Sequence, residues 1–328
     1  LMSRKHTLIR GTAILTITSF ATRFMGFFYR MFLSHTFGEE NVGLYQLIFP
    51  IYALGISLSC AGTQLALSRC AAREVAAGHP EKARQLLKTS LIFTFFISCA
   101  ITIGIQQNAD LIAQNFLHDS RCSELLILLS YAFPFASIHS CICGYSLGLK
   151  QLFEQAFRIL SVFLLCVYRS RHQQTISVAF AVAGLALGEI AASLYCLYSV
   201  RHLRGKAQIA GSDTTLSPGS FHHHFQTLFR HALPLTASRV LLNLLQGIEA
   251  VSIPVCLQYY GMPASQSLQT YGVLTGMALP CILFPSAVTN ALSSMLLPTV
   301  AELQEMKNRR KLRSVIIKIT CSCIFLGC

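Results

Sequence analysis

Long apolar runs bounded by short polar stretches repeat along almost the whole chain. A helix needs roughly 20 residues to cross a hydrocarbon core of about 30 Å. On that scale the runs predict membrane spans at 8–33, 43–68, 86–106, 122–148, 155–169, 174–200, 228–255 and 266–297. A ninth starts near residue 314 and is still apolar at Cys328, which predicts that the chain is the front part of a longer protein. The first run is too long for a signal peptide, and its end, "FLSHTFGEEN", has no small-residue cleavage site, so it is read as a retained helix. The pattern predicts an all-α polytopic membrane protein.

Polar positions inside the runs sharpen this picture. An Arg at the centre of a span costs roughly 2.5 to 3.5 kcal/mol, yet "TSFATRFMGFFYRMFLSH" carries Arg23 and Arg30. Seven residues apart, they share a helix face that Thr16 and Ser19 extend toward the N-terminus. In the seventh run Arg239, Asn243, Gln246 and Glu249 step by four, three and three and draw a second polar stripe. Both stripes are expected to face a water-filled cavity. The competing reading has Arg30 and Arg239 snorkel to the two membrane surfaces. Glu189, beside Gly184 and Gly188 in the sixth run, either binds a coupling cation or pairs with an arginine. Pro50, Pro134, Pro234, Pro254, Pro280 and Pro285 lie in or near spans and free backbone carbonyls there, as bending helices need.

Composition agrees: 53% of the 328 residues are hydrophobic, 12% are charged, and mean hydropathy is +0.54. That leaves no room for a soluble catalytic domain. A net charge of +13 would suit nucleic acid, but the cations sort by membrane side. Arg4, Lys5 and Arg10, the Arg69–Lys88 region, Lys150 and Arg158, Arg201 to Arg230, and Lys307 to Arg313 fall on one side; Arg121, Arg169 and Arg171 fall on the other. By the positive-inside rule the N-terminus is cytoplasmic and the protein lies in the cell membrane. Nucleic acid is not an expected partner, and contact with anionic membrane lipids is a secondary effect of the basic face. Most of the 13 cysteines fall inside apolar runs and are read as packing. Cys141-x-Cys143 and Cys321-x-Cys323 lack the second ligand pair of a zinc site. His222, His223 and His224 are read as part of a polar loop, after the flexible-looking "GSDTTLSPGS". No acid/base pair, nucleotide-binding loop or metal-ligand cluster is legible, so neither an enzyme nor a cofactor is expected.

Two stretches echo each other: "LIRGTAILTITS" from Leu8 and "LFRHALPLTASR" from Leu228, each followed by a span that ends in a basic loop. Six spans separate the two starts, so the repeat is parallel, an arrangement that places a substrate site between the repeats near the midplane. The division expected is an N-lobe at 1–200, a linker loop at 201–227 and a partial C-lobe at 228–328. Arg23, Arg30 and Arg239 against Glu189 and Glu249 favour an anionic substrate.

"GTAILTITSFATRFMGFFYRMFLSHTFGEENVGLYQLIFPIY" resembles the opening of the stage V sporulation protein B group of polysaccharide transporters, in the MATE-like MOP superfamily that also holds the MurJ-type lipid II flippases. "TYGVLTGMALPCILFPSAVTNALSSMLLPTVAE" is similar to that group's eighth span. The resemblance implies a two-lobe flippase that carries a polyprenyl-diphosphate-linked saccharide from the inner to the outer leaflet by alternating access. Arg23 matches the family's "(S/T)R-x-x-G-F" motif, whereas Arg30 stands one residue after the second MurJ arginine, where this chain has Tyr29. Substrate binding is expected at Arg23, Arg30, Arg239, Asn243 and Gln246, and any coupling to Na+ or H+ at Glu249 or Glu189. Partners would be the lipid-linked saccharide, membrane lipids and proteins of cell-wall biosynthesis. The alternatives are a MATE-type antiporter that exports organic cations and a non-transporting scaffold of a cell-wall or sporulation complex.

Overall fold

The computed structural model describes residues 21–22, 24–145, 150–171, 177–207, 218–283, 316, 317, 320 and 321, and all regular elements among them are helical. α1 covers 24–37 and closes at Gly38, whose φ of 79° favours glycine. α2 (Glu39–Ile56) passes through a π-helical turn, Ser57–Ala61, into α3 (Gly62–Ala76). α4 (Pro80–Gln107) carries its proline in the first turn, where no amide hydrogen is needed. After a helical turn at Ala109–Leu111 and a π-turn at Ile112–Phe116 come α5 (Cys122–Ser130) and α6 (Ala132–Tyr145). α7 (Lys150–Arg171), α8 (Ala179–Ala207), α9 (Pro218–Tyr259) and α10 (Ala264–Val273) follow, and a π-turn, Leu274–Ala278, leads into the short α11 (Leu279–Ile282).

Among the described residues, Glu39–Val75, Pro80–Gln107, Ala179–Val200 and Leu228–Tyr259 are long and apolar enough to cross a membrane. The α5–α6 pair, bent by 44°, makes a fifth such stretch, and Ala156–Tyr168 in α7 is a shorter apolar helix. The protein is thus an all-α, multi-pass membrane protein. One expectation needs correction. α8 continues to Ala207 and α9 begins at Pro218, so both flanks of the stretch read as a loop, including residues 222–224, are helical. Hydropathy reports only the apolar part of a helix, and polar turns that continue beyond it leave no such signal. Residues 208–217, the first copy of the repeat, the eighth run beyond residue 283 and most of the ninth lie outside the described residues.

Lipid supplies no hydrophobic force between helices, so close packing and polar bonds hold them together. α4 shows how. Ser90, Thr94, Ser98 and Thr102, four residues apart, are all buried on one face. Thr94 Oγ1 lies 3.2 Å from Cys141 Sγ, Ser98 Oγ lies 3.1 Å from Ser137 Oγ, and Thr102 donates to the Ser130 carbonyl at 3.1 Å. α2 and α10 instead meet through glycines. A Cβ on Gly43 would strike the Leu268 carbonyl, and one on Gly272 would stand 2.7 Å from the Gly43 nitrogen.

Candidate functional site

A cavity of about 470 Å³ lies between α1 and the segment from the Leu274–Ala278 turn into α11. Phe27, Arg30, Met31 and Ser34 line it from α1, at the spacing of one helix face, and Gly276 and Met277 line it from across. His35 and Glu39 also reach it. Tyr29, one position earlier, is rotated by about 100° and is buried in the main core with Leu33 and Phe37. The register of α1 therefore gives the tyrosine to the core and the arginine to the cavity. The wall thus sets a guanidinium among Phe27, Met31 and Met277 with Ser34, His35 and Glu39 also present, and the guanidinium can pair with an anionic group on a partly apolar ligand. Arg23 lies outside the described residues.

The α9 stripe does not converge on this cavity. Asn243 Nδ2 donates to the Ala53 carbonyl at 3.1 Å and to Ser57 Oγ, which ties α9 to the start of the π-turn in the α2–α3 helix. Arg239, Gln246 and Glu249 are exposed along α9. Gly62 brings α9 close to α3, since a Cβ there would collide with Thr236 and the Ala232 carbonyl.

Glu189 has a different setting. It is 4% exposed, and its Oε1 accepts from Tyr52 Oη at 3.0 Å and from Arg158 Nη2 at 3.1 Å. His139 Nδ1 lies 3.4 Å from its Oε2. Four helices, α2, α6, α7 and α8, meet at this carboxylate. Gly188 makes the meeting possible, because a Cβ there would stand 2.9 Å from Arg158 Cβ. Of the two readings of Glu189, the structure displays the arginine pair. It also corrects the sorting of Arg158 with the basic membrane face, since that side chain is 15% exposed and turned inward along α7. His139 and Tyr52 escaped the sequence reading, although a lone imidazole in "FASIHSCIC" was a usable signal.

A third polar group joins the start of α2 to the start of α10. Arg121 Nη1 donates to Glu40 Oε1 at 2.8 Å and its Nη2 to Asp119 Oδ2 at 2.8 Å, while Ser265 Oγ donates to Glu40 Oε2 at 2.7 Å. The Asp119 carboxylate, hydrogen-bonded to Arg121, raises that guanidinium above the ordinary arginine range.

A helical membrane domain with a lined cavity and a buried ion pair defines the class, a polytopic membrane protein, and comparison with solved structures gives it a MATE-like transporter fold. A solved structure described as the outward-facing conformation of a multidrug resistance MATE family transporter of the MOP superfamily matches it with a TM-score of 0.62 at 17% identity, covering 97% of this chain and 70% of that one. The chain belongs to the polysaccharide biosynthesis protein family, whose pattern matches residues 8–304. It is 28% identical over 311 residues to stage V sporulation protein B of Bacillus subtilis (strain 168), covering 92% of this chain and 60% of that protein. It is also 23% identical over 346 residues to the lipid II flippase MurJ of the same organism, covering 97% and 62%. The chain thus spans about three fifths of the length of these relatives.

Proposed function

We propose that this protein, at its natural length, is a flippase of the cell membrane that moves a polyprenyl-diphosphate-linked saccharide from the inner to the outer leaflet by alternating access. The observation that carries the reading is Arg30 on the wall of the cavity between α1 and the turn that leads into α11. Its guanidinium replaces water around the diphosphate, and the apolar part of that wall, Phe27, Met31, Met277 and Pro280, tolerates the first isoprene units, beside the polar Ser34, His35 and Glu39. Family membership and the likeness to a lipid II flippase support the same class of cargo. In this reading residues 1–200 form the N-lobe, the N-terminus is cytoplasmic and no residue is catalytic. The two lobes separate where α10 meets α2, at Gly43, Gly272 and the Glu40–Ser265 contact. An inside-negative membrane potential favours outward movement of the anion by roughly 2.3 kcal/mol per charge per 100 mV.

Native mass spectrometry of the detergent-purified protein with a polyprenyl-diphosphate saccharide tests this directly. Wild type should retain the lipid, and Arg30→Ala and Arg23→Ala should lose it. Equal retention by all three would contradict the anion cavity. A second reading, export of organic cations coupled to Na+ or H+, rests on the buried carboxylate of Glu189; binding of a cationic dye that Glu189→Gln abolishes would favour it.

A further inference from the structure

We infer that the interior of the α6–α8 packing holds a metal site of the soft, zinc type, formed by His139, Cys143 and Cys196. His139 and Cys143 are four residues apart on α6 and so share one face of it. Cys196 lies seven residues after Glu189 on α8, on the face that already meets His139. One ligand atom from each of the three lies within 4.8 Å of the other two. Metal–sulfur bonds of about 2.3 Å and metal–nitrogen bonds of about 2.0 Å in a tetrahedron separate ligand atoms by roughly 3.5 Å, so small side-chain rotations close the set.

Three further observations suit a metal. His139 and Cys196 are buried, at 6% and 0% exposure, while Cys143 is half-buried and leaves a way in. Two thiolates and a neutral imidazole around a divalent ion carry no net charge, which is the form that a buried site tolerates. Glu189 Oε2, 3.4 Å from His139 Nδ1, supplies the carboxylate that commonly orients a ligating histidine. The Cys-x-Cys pair of α6 is split by this arrangement. Cys141 turns to Thr94 on α4, with its sulfur 3.2 Å from the threonine hydroxyl, and Cys143 turns to α8. The ligand partners of Cys143 come from other turns and another helix, so pair spacing in the sequence does not display them. The metal's role is structural: it joins α6 to α8 beside the Glu189 ion pair, apart from the cavity of Arg30.

The test uses the protein at its natural length in detergent, with Cd2+ as the probe, because thiolate-to-cadmium charge transfer absorbs in the ultraviolet and histidine-only binding does not. Wild type should show one saturable thiolate site from which Zn2+ displaces Cd2+. Cys143→Ser and Cys196→Ser should each weaken it by more than about tenfold, a loss that even outer partners of a metal can produce, and Cys141→Ser should leave it intact. Equal binding by wild type, Cys143→Ser and Cys196→Ser would overturn the inference, as would loss on Cys141→Ser alone. Should the variants not fold, X-ray absorption of the cadmium-loaded wild type decides: a shell of two sulfurs and one or two lighter atoms is expected, and a shell of oxygen and nitrogen alone refutes the site.

Discussion

Two glutamates in successive long helices have opposite fates. Glu189 in α8 is enclosed by Tyr52, His139 and Arg158, whereas Glu249 in α9 is exposed. The helices that carry them differ in the same sense, with 56% of the apolar stretch of α8 buried against 17% for α9. A carboxylate taken out of water needs a compensating charge and hydrogen bonds, and Glu189 has both. Glu249 sits where the neighbouring side chains Leu245 and Ile248 are themselves exposed. Residue type and hydropathy are the same at the two positions, so the difference arises from which helices approach. Gly188 admits α7 to Glu189, and no helix among the described residues covers Glu249.

The largest effect should come from removing the charge that balances Glu189. Arg158→Met is expected to cost about 3–5 kcal/mol by leaving a buried carboxylate uncompensated, read as a lower unfolding temperature in detergent. Adding Glu189→Gln should recover much of the loss. A double variant no more stable than Arg158→Met alone would mean that the pair is not the point of the contact. Gly272→Val comes next, since it forces a side chain against α2; overpacking of this kind costs about 1–3 kcal/mol, and crosslinking between cysteines introduced on α2 and α10 should weaken with it. Asn243→Leu removes two bonds, from α9 to the Ala53 carbonyl and to Ser57 Oγ, and should cost about 1 kcal/mol, at an average of about 0.6 kcal/mol for each such bond in membranes. Glu249→Gln should leave unfolding unchanged. A clear destabilisation by that last change would remove the contrast between the two glutamates.

Much of the fold could be read from the chain because lipid imposes a simple rule. Apolar runs long enough to cross must be helical, and the runs at 43–68, 86–106 and 228–255 fall within Glu39–Val75, Pro80–Gln107 and Leu228–Tyr259, while Ala179–Val200 makes up most of the run at 174–200. Breaks in regular geometry were less visible. Neither the π-turn at Ser57–Ala61 nor the bend between α5 and α6 at Tyr131 alters hydropathy. For the site, the stripe read on α1 contributes Arg30 to the cavity wall, while its other members, Thr16, Ser19 and Arg23, lie outside the described residues. Helical spacing was uninformative on α9, where the even stripe from Arg239 to Glu249 is divided between the Asn243 contact with α2 and open positions. A stripe states which residues share a face; the neighbour of that face is set by tertiary packing. The partners of Glu189 were hidden for the same reason, since Tyr52, His139 and Arg158 come from three other helices.

If Arg30 in the α1 cavity handles an anionic lipid, its charge must matter to transport. The most direct test is leaflet translocation of a polyprenyl-diphosphate saccharide in proteoliposomes, comparing the natural-length protein with Arg30→Gln. Slow translocation by Arg30→Gln is expected. A wild-type rate for Arg30→Gln would contradict the role given to this arginine.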